Sequence, residues 1–161
     1  MADEAQLEKG FVLDSSVVIK WFSEEENTAE ALIFREKHIQ GEIEVVEPDL
    51  ILYEVANVLR YNKSINENDV KAAVDSLIAL GIDIIVPTKE VTDEAVSLAF
   101  QYGLTVYDAY FIALAKVLCF IFITADEKLH QKVKKLPLVH LLKDHFFDTQ
   151  DKSEFKKNEE V

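Results

Sequence analysis

Short apolar runs alternate along the chain with longer segments in which apolar residues recur at helical spacing. The first run, GFVLD at 10–14, ends in an acid and predicts a buried strand. Similar runs predict strands at 44–47, 82–86 and 119–123, followed by a short strand or loop at 138–142. Because successive rather than alternate positions are apolar, these strands are typical of a parallel sheet that is covered on both faces.

Helical segments separate these runs, and polar residues at their starts can accept hydrogen bonds from free helical N–H groups. The residues predicted to begin the helices are Ser15 or Ser16, Asn27, Asp49, Asn66, Glu90, Tyr107 or Asp108, and Thr124. Strands that alternate with helices predict an α/β fold. We expect a three-layer, Rossmann-like sandwich with right-handed crossovers around a central parallel sheet of four to five strands.

One domain accounts for the patterned part of the chain, residues 10–147. The 161 residues, of which 49% are hydrophobic, suffice for one sizeable core. Residues 1–9 are expected to form an acidic N-terminal extension, and residues 148–161 a charged, flexible tail. The most apolar run, 117–125, is too short to cross a bilayer. The single cysteine, Cys119, is expected to pack in the strand at 119–123 and suits a reducing cytoplasm.

The formal net charge of −13 is unusual for a protein that binds nucleic acid, because phosphate contacts normally come from a basic surface. Carboxylates at a metal site would account for part of this charge, since bound metal neutralises them. Local basic residues are Lys128, Lys132, Lys134 and Lys135, with Arg60 and Lys63 elsewhere. The composition argues against tight binding to bulk nucleic acid, but it allows a cleft that binds weakly, or a basic protein partner.

Acidic residues follow the predicted strand ends. Asp14 closes the first strand, and Glu54 lies in the helix after the second. Asp108 stands at the head of the helix before the fourth strand, and Asp126 lies just past that strand. Ligands of open α/β sheets bind at the carboxyl ends of the strands, and grouped carboxylates repel one another unless a hard cation binds them. The pattern therefore indicates a Mg²⁺ or Mn²⁺ site with oxygen ligands.

Four segments resemble the signature segments of PIN domains and occur in the family's order. They are FVLDSS at 11–16, YEVANVL at 53–59, VYDAYFIALA at 106–115 and TADEKL at 124–129. The resemblance extends from about residue 11 to residue 140. Among PIN domains, the chain is most similar to the VapC-like toxins of type II toxin–antitoxin pairs. The Tyr-Asp-Ala and Thr-x-Asp sequences are its most specific parts.

This resemblance implies a Mg²⁺- or Mn²⁺-dependent endoribonuclease that hydrolyses RNA phosphodiester bonds. The catalytic and metal-binding residues it implies are Asp14, Glu54, Asp108 and Asp126. Of these, Asp14 and Asp108 are expected to bind metal directly, and the other two directly or through water. Supporting roles are expected for Ser15, Ser16, Asn57 and Thr124.

The resemblance also implies partners: RNA as substrate and an antitoxin protein. The antitoxin would lay a segment carrying Arg or Lys into the acidic cleft, because cations complement such a field. A homodimer is expected as well. Apolar residues of the first helices look too numerous for one core face; they are Val17, Val18, Trp21, Phe22, Ile33 and Phe34.

Other interpretations stay open at this point. Taken singly, Asp14, Asp108 and Thr124 could serve only as helix caps, and Glu54 could be solvated. A haloacid-dehalogenase-type phosphatase needs a second Asp where Ser16 stands, and a response-regulator receiver needs adjacent acids that Leu13-Asp14 lacks. A non-catalytic PIN fold that binds protein or RNA is the stronger alternative. The four histidines, His38, His130, His140 and His145, are expected at the surface or at interfaces.

Overall fold

The computed structural model describes residues 9–147 as strands that alternate with helices. The strands are β1 (Gly10–Leu13), β2 (Glu44–Pro48), β3 (Asp83–Ile85), β4 (Ile121–Thr124) and β5 (Val139–Leu141). The α-helices are α1 (Ser15–Val18), α2 (Thr28–Ile39), α3 (Leu50–Arg60), α4 (Glu67–Ala79), α5 (Lys89–Tyr102), α6 (Val106–Leu118) and α7 (Glu127–Val133). Two short 3₁₀ turns, Ile19–Trp21 and Leu142–Asp144, follow α1 and β5.

The five strands form one parallel sheet in the order β3-β2-β1-β4-β5. Strand order therefore reverses between β1 and β4, since the chain first builds outwards to β3 and then returns to the other side of β1. Helices flank the sheet, which confirms the expected α/β architecture. The reversal leaves a crevice at the carboxyl ends of β1 and β4, where sheets of this type bind ligands.

The core is centred on β1 and α6. Phe11, Val12 and Leu13 of β1 are fully buried. Helix α6 buries every residue from Ala109 to Ala115. A helix surrounded on all sides has no polar face, so its sequence lacks the amphipathic period that marks surface helices.

The boundary between α6 and β4 differs from the prediction at Cys119. The expected strand at 119–123 begins only at Ile121, because α6 continues to Leu118. Cys119 then ends the helix with a left-handed backbone, φ 56°, and its side chain is exposed. The expectation of a cysteine packed in a core strand was therefore wrong. At the other end, α6 begins at Val106 and not at Tyr107 or Asp108, since Thr105 is its N-cap.

The apolar residues of the first helices are used within the monomer. Val17, Val18, Trp21 and Phe34 are buried, and the Trp21 indole N–H donates to the carbonyl of Ala31 at 2.8 Å. Phe22 and Ile33 are only half-buried, so four of the six residues belong to the monomer's own core and the count of apolar residues alone no longer requires a homodimer. Dimerisation itself stays a prediction. The most exposed large apolar side chains in the described part of the chain are Tyr61, Val86 and Phe100.

Residues 1–8 and 148–161 lie outside the described residues, so the predicted N-terminal extension and charged tail stay predictions. Within 9–147, no helix combines the length and the apolar character that a membrane span requires.

An aromatic cluster holds the end of the described chain against β1. His145 packs with its ring centroid 5.4 Å from that of Phe11, and Phe34 and Phe147 complete the cluster. The Nδ1 atoms of His140 and His145 are 3.1 Å apart, and His140 Nε2 lies 3.1 Å from the Pro137 carbonyl oxygen. Because a carbonyl only accepts, His140 carries its proton on Nε2, and His145 Nδ1–H must donate to His140. His145 is thus a packed residue of the fold and not a surface one.

Acidification is expected to weaken this cluster. Burial, and then neighbouring His140, lower the pKa of His145 to about 4. The unfolded chain, with a His pKa near 6.5, takes up a proton first, so the contribution of His145 to the free energy of unfolding falls between about pH 6.5 and about pH 4. Urea unfolding of the wild type and of His145→Phe at about pH 7.5 and about pH 5 measures this effect. The free energy of unfolding of the variant, relative to that of the wild type, should be higher at about pH 5 than at about pH 7.5. An unchanged difference would contradict this.

Candidate functional site

Asp14 stands at the carboxyl end of β1, inside the crevice between β1 and β4. Its backbone N–H donates to the Ile123 carbonyl at 2.8 Å, so the main chain is fixed to β4. Its side chain is buried, with only 6% of the residue exposed. The Ser16 hydroxyl donates to Oδ2 at 2.7 Å and the Thr124 hydroxyl to the same oxygen at 2.8 Å. Within residues 9–147, Oδ1 accepts no hydrogen bond, so this oxygen is left for another ligand.

The two hydroxyls are fixed by the backbone that follows β4. Ser16 Oγ accepts from the Ala125 N–H at 3.0 Å, and Thr124 Oγ1 accepts from the Asp126 N–H at 3.0 Å. Since each hydroxyl has one proton, both protons point to Asp14 while both oxygens accept from main-chain N–H groups. The Asp14 carboxylate is therefore oriented by groups that are themselves held in place.

Sequence analysis placed the start of α7 at Thr124, and the structure gives the cap to Asp126. Asp126 Oδ1 accepts from the N–H groups of Lys128 at 2.9 Å and of Leu129 at 3.1 Å. The capping interpretation of Thr124 was therefore wrong: its hydroxyl is buried and turned towards Asp14. Asp126 both caps a helix and faces the crevice.

The other predicted acids reach the same crevice from the helices. Glu54 of α3 is half-buried and lies near the Ser15 hydroxyl, which lowers the pKa of its carboxyl group. Asp108 lies in the first turn of α6, where its backbone N–H donates to the Thr105 hydroxyl. Asp14 is repelled by both Asp108 and Asp126. Repulsion from Asp14 and Asp108 also acts on Glu54. The four acids that sequence analysis grouped are thus near enough to repel one another, and their role as one site stays a prediction.

Burial, with repulsion between neighbouring acids as a smaller cause, raises the pKa values of Asp14, Glu54 and Asp108. Burial raises the pKa of Asp14 to about 6, against the lowering effect of the hydrogen bonds from Ser16 and Thr124, with repulsion from the other acids adding to the rise. Burial likewise raises the pKa of Glu54, although the bond from Ser15 opposes it. For Asp108, burial is again the main cause of a raised pKa, while Thr105 and Lys132 lower it. The ionised forms of these carboxyl groups therefore destabilise the folded state, and a bound cation would offset that effect.

A fifth carboxyl group, that of Glu47 on β2, was not among the predicted site residues. It is completely buried and accepts the Leu13 N–H on Oε1 at 2.8 Å. Burial raises its pKa well above the usual range, and repulsion from Asp14 and Glu54 raises it further. The signal that could have found it is an acid inside an apolar strand, next to Pro48 and just before a helix that carries a site acid.

Asn57 lies one helical turn after Glu54 and shares a groove with it between α3 and α4. The groove has a volume of about 1080 Å³, and its lining includes Glu54, Asn57, Arg60, Val70, Val74 and Tyr107. Asn57 is exposed there, in keeping with a residue that meets a ligand at the rim of the acidic crevice.

The donor set fits a hard divalent cation. Every ligand the crevice offers is a carboxylate or hydroxyl oxygen, which Mg²⁺ and Mn²⁺ favour over soft ligands. Oδ1 of Asp14 accepts no hydrogen bond from the described residues and is the oxygen best placed to bind such an ion. Between residues 9 and 147, no three acidic, histidine or cysteine side chains already converge closely enough to hold an ion.

Comparisons with known proteins agree with this architecture. The PIN domain family model matches residues 11–135. A search of curated protein sequences gave no match. Similar solved structures include a toxin–antitoxin complex from Klebsiella pneumoniae, with 18% identity, 81% of this chain and 96% of that chain covered, and a TM-score of 0.60.

Two further solved structures are similar to the same extent. PAE2754 from Pyrobaculum aerophilum is 18% identical; the match covers 84% of this chain and 85% of that chain, with a TM-score of 0.61. VapBC2 from Rickettsia felis, bound to a DNA fragment from its promoter, has 14% identity, covers 82% of this chain and 96% of that chain, and gives a TM-score of 0.60. At such identities the likeness concerns the fold.

Replacing Asp14 with Asn is expected to stabilise the metal-free protein at pH 8. The amide oxygen can still accept from Ser16 and Thr124, and the buried charge is gone. Because the pKa of about 6 in the folded state lies above the usual value of 3.8, ionised Asp14 costs about 2 to 3 kcal/mol of folding free energy above pH 6. This cost disappears as the pH falls towards 4.

Urea unfolding in the presence of EDTA, at about pH 8 and about pH 4, measures this effect. Asp75→Asn is the matched control, since Asp75 is exposed on α4. Asp14→Asn should be more stable than the wild type only at the higher pH. A variant that is less stable than the wild type at pH 8 would contradict the electrostatic account.

Proposed function

This chain belongs to the PIN domain family, and on that premise we propose that it is a divalent-metal-dependent ribonuclease and the toxin of a toxin–antitoxin pair. The observation that carries the proposal is the crevice at the strand-order reversal, where Asp14 is held by two oriented hydroxyls among Glu54, Asp108 and Asp126. Such an array has little structural use, because its members repel one another.

Asp14 and Asp108 are the direct metal ligands in this proposal. Glu54 and Asp126 bind the ion directly or through water. Ser16 and Thr124 hold Asp14 so that its free oxygen faces the crevice, and Ser15 holds Glu54. Bound Mg²⁺ or Mn²⁺ would lower the pKa of a water molecule and stabilise the leaving oxygen of a phosphodiester.

RNA is the proposed substrate, and the surface around the crevice supports a modest affinity for it. Lys132 lies near enough to lower the pKa of Asp108, and Lys128 occupies the same helix, α7. Tyr107, which is 64% exposed, precedes Asp108 and offers a ring on which a base can stack. With a formal net charge of −13, the rest of the surface repels phosphate, so binding depends on these local groups and on the metal.

Cleavage of single-stranded and structured RNA in Mg²⁺ or Mn²⁺ tests the proposal. The wild type should cut RNA, and EDTA should abolish the activity. Asp14→Asn and Asp108→Asn should each lower kcat by at least about 100-fold. Loss of a residue that only orients a metal ligand already lowers metal affinity or activity by about 10- to 100-fold, and these two residues are proposed as the ligands themselves.

Asp75→Asn is the control and should cut at the wild-type rate. Activity that survives EDTA or both site variants would exclude a metal nuclease. RNA binding without cleavage by a folded, metal-loaded wild type would favour the alternative function, a non-catalytic RNA-binding module.

The proposed antitoxin is a basic segment with an apolar face. The groove between α3 and α4 has apolar walls, including Leu52, Val70 and Val74, and opens beside Glu54. A segment that buries apolar side chains in the groove would present an Arg or Lys to the acidic crevice, where the opposite charges attract. The name of the Klebsiella pneumoniae relative describes a toxin–antitoxin complex, which supports a partner of this kind.

Growth of a bacterial host that expresses this chain tests the toxin role. The wild type should arrest growth, Asp14→Asn should not, and co-expression of the antitoxin should restore growth. Val74→Asp, which places a charge in the groove, should resist that rescue while it still cuts RNA. Ile78→Asp is the control, because Ile78 is an exposed residue of the same helix that does not line the groove. Rescue of both variants alike would contradict the groove assignment.

A further inference from the structure

The pairing of β1 with β2 stops short of the site. Phe11 pairs with Val45, and the Glu44 N–H donates to the Lys9 carbonyl at 2.7 Å. In a parallel ladder the donors from one strand recur at every second residue. Counted on from Glu44, the next donors from β2 towards β1 are residues 46 and 48. The register ends at the pair Phe11 and Val45, so the Leu13 N–H lies beyond the last main-chain pair with β2. Pro48, which has no N–H, adds no further donor from β2 to the end of β1.

The side chain of Glu47 takes over where the ladder ends. Its Oε1 accepts the Leu13 N–H at 2.8 Å, a bond that β2 does not make with its main chain. On the opposite side of β1, the Asp14 N–H donates to the Ile123 carbonyl of β4. Two hydrogen bonds therefore fix the main chain at Leu13 and Asp14, one to each neighbouring strand. The bond on the β2 side comes from a carboxyl group.

A buried carboxyl group is an energetically unfavourable acceptor for a single N–H. Glu47 is fully buried, its Oε2 has no hydrogen-bond partner among residues 9–147, and it is repelled by Asp14 and Glu54. Burial of a polar atom without a hydrogen-bond partner is destabilising. A residue that only filled the core would avoid this cost. The Glu47 carboxyl group binds the N–H of Leu13, the residue directly before Asp14, and this position indicates its role.

We propose that Glu47 is a positioning residue of the metal site: by accepting the Leu13 N–H where the β1–β2 ladder fails, it fixes the strand end that carries Asp14. This inference rests on the proposed function, since it assigns Glu47 to the hold on a metal ligand. Glu47 does not itself bind the ion. Its oxygen acceptor matters, and its charge does not.

Two substitutions separate these properties. Glu47→Gln keeps an oxygen for the Leu13 N–H and removes the charge. Glu47→Met keeps a similar volume and removes the acceptor. Mn²⁺ binding to the full chain by calorimetry is the first readout, and exchange of the Leu13 amide hydrogen by NMR is the second. We expect Glu47→Met to bind Mn²⁺ about 10- to 100-fold more weakly, as for partners that orient metal ligands, with a faster-exchanging Leu13 amide.

Glu47→Gln should bind Mn²⁺ nearly as the wild type does and keep the Leu13 amide protected. Thr28→Val is the control for loss of a buried hydrogen bond remote from the site, since the Thr28 hydroxyl binds Glu25. It should lose stability without loss of Mn²⁺ affinity. If Glu47→Met does not fold, Glu47→Gln decides: a loss of affinity of tenfold or more with a protected Leu13 amide would make Glu47 a charge-bearing ligand and overturn the inference.

The remaining outcomes are equally decisive. Wild-type affinity in Glu47→Met overturns the inference and leaves the proposed function standing, because the site then binds metal without this bond. A wild type that binds no Mn²⁺ overturns the proposed function, and the inference with it.

Discussion

The carboxylate of Asp14 is buried at the end of the central strand and surrounded by other acids, and the site is organised around the cost of that arrangement. Burial and repulsion both disfavour the ionised form, as the pKa of about 6 records. Two hydroxyl donors offset only part of the cost. A divalent cation would offset the remainder, because the opposite charge favours ionised carboxylates. The fold thus stores an unfavourable charge cluster that becomes favourable only with a ligand.

Parallel strand pairing places this cluster. Because strand order reverses between β1 and β4, the ends of these strands open into a crevice, and helices α3 and α6 begin close to it. Asp14 is then held by its main chain to β4, by its side chain to Ser16 and Thr124, and through Leu13 to Glu47. The main chain that carries Asp14 is therefore fixed from both neighbouring strands.

The fold and the acidic quartet could be predicted from the sequence because both leave local signals. An apolar run that ends in Asp14, and Asp108 in a family-like segment, are visible in the order of residues. Glu47 was missed because its contact with the Leu13 N–H depends on which strand lies beside β1, although an acid inside an apolar strand was a local signal for it. Cys119 was misplaced for a related reason: α6 is apolar throughout, so its end and the start of β4 share one apolar run.

The dependence of stability on Mn²⁺ concentration at pH 8 tests the central claim most directly. A ligand that binds only the folded state raises the free energy of unfolding by about 1.4 kcal/mol for each tenfold increase in concentration above its Kd. The account predicts this rise for the wild type and its loss in Asp14→Asn, which is the more stable protein without metal. A wild type whose stability ignores Mn²⁺, or an Asp14→Asn variant that responds equally, would contradict the claim that the buried carboxylates exist to bind a cation.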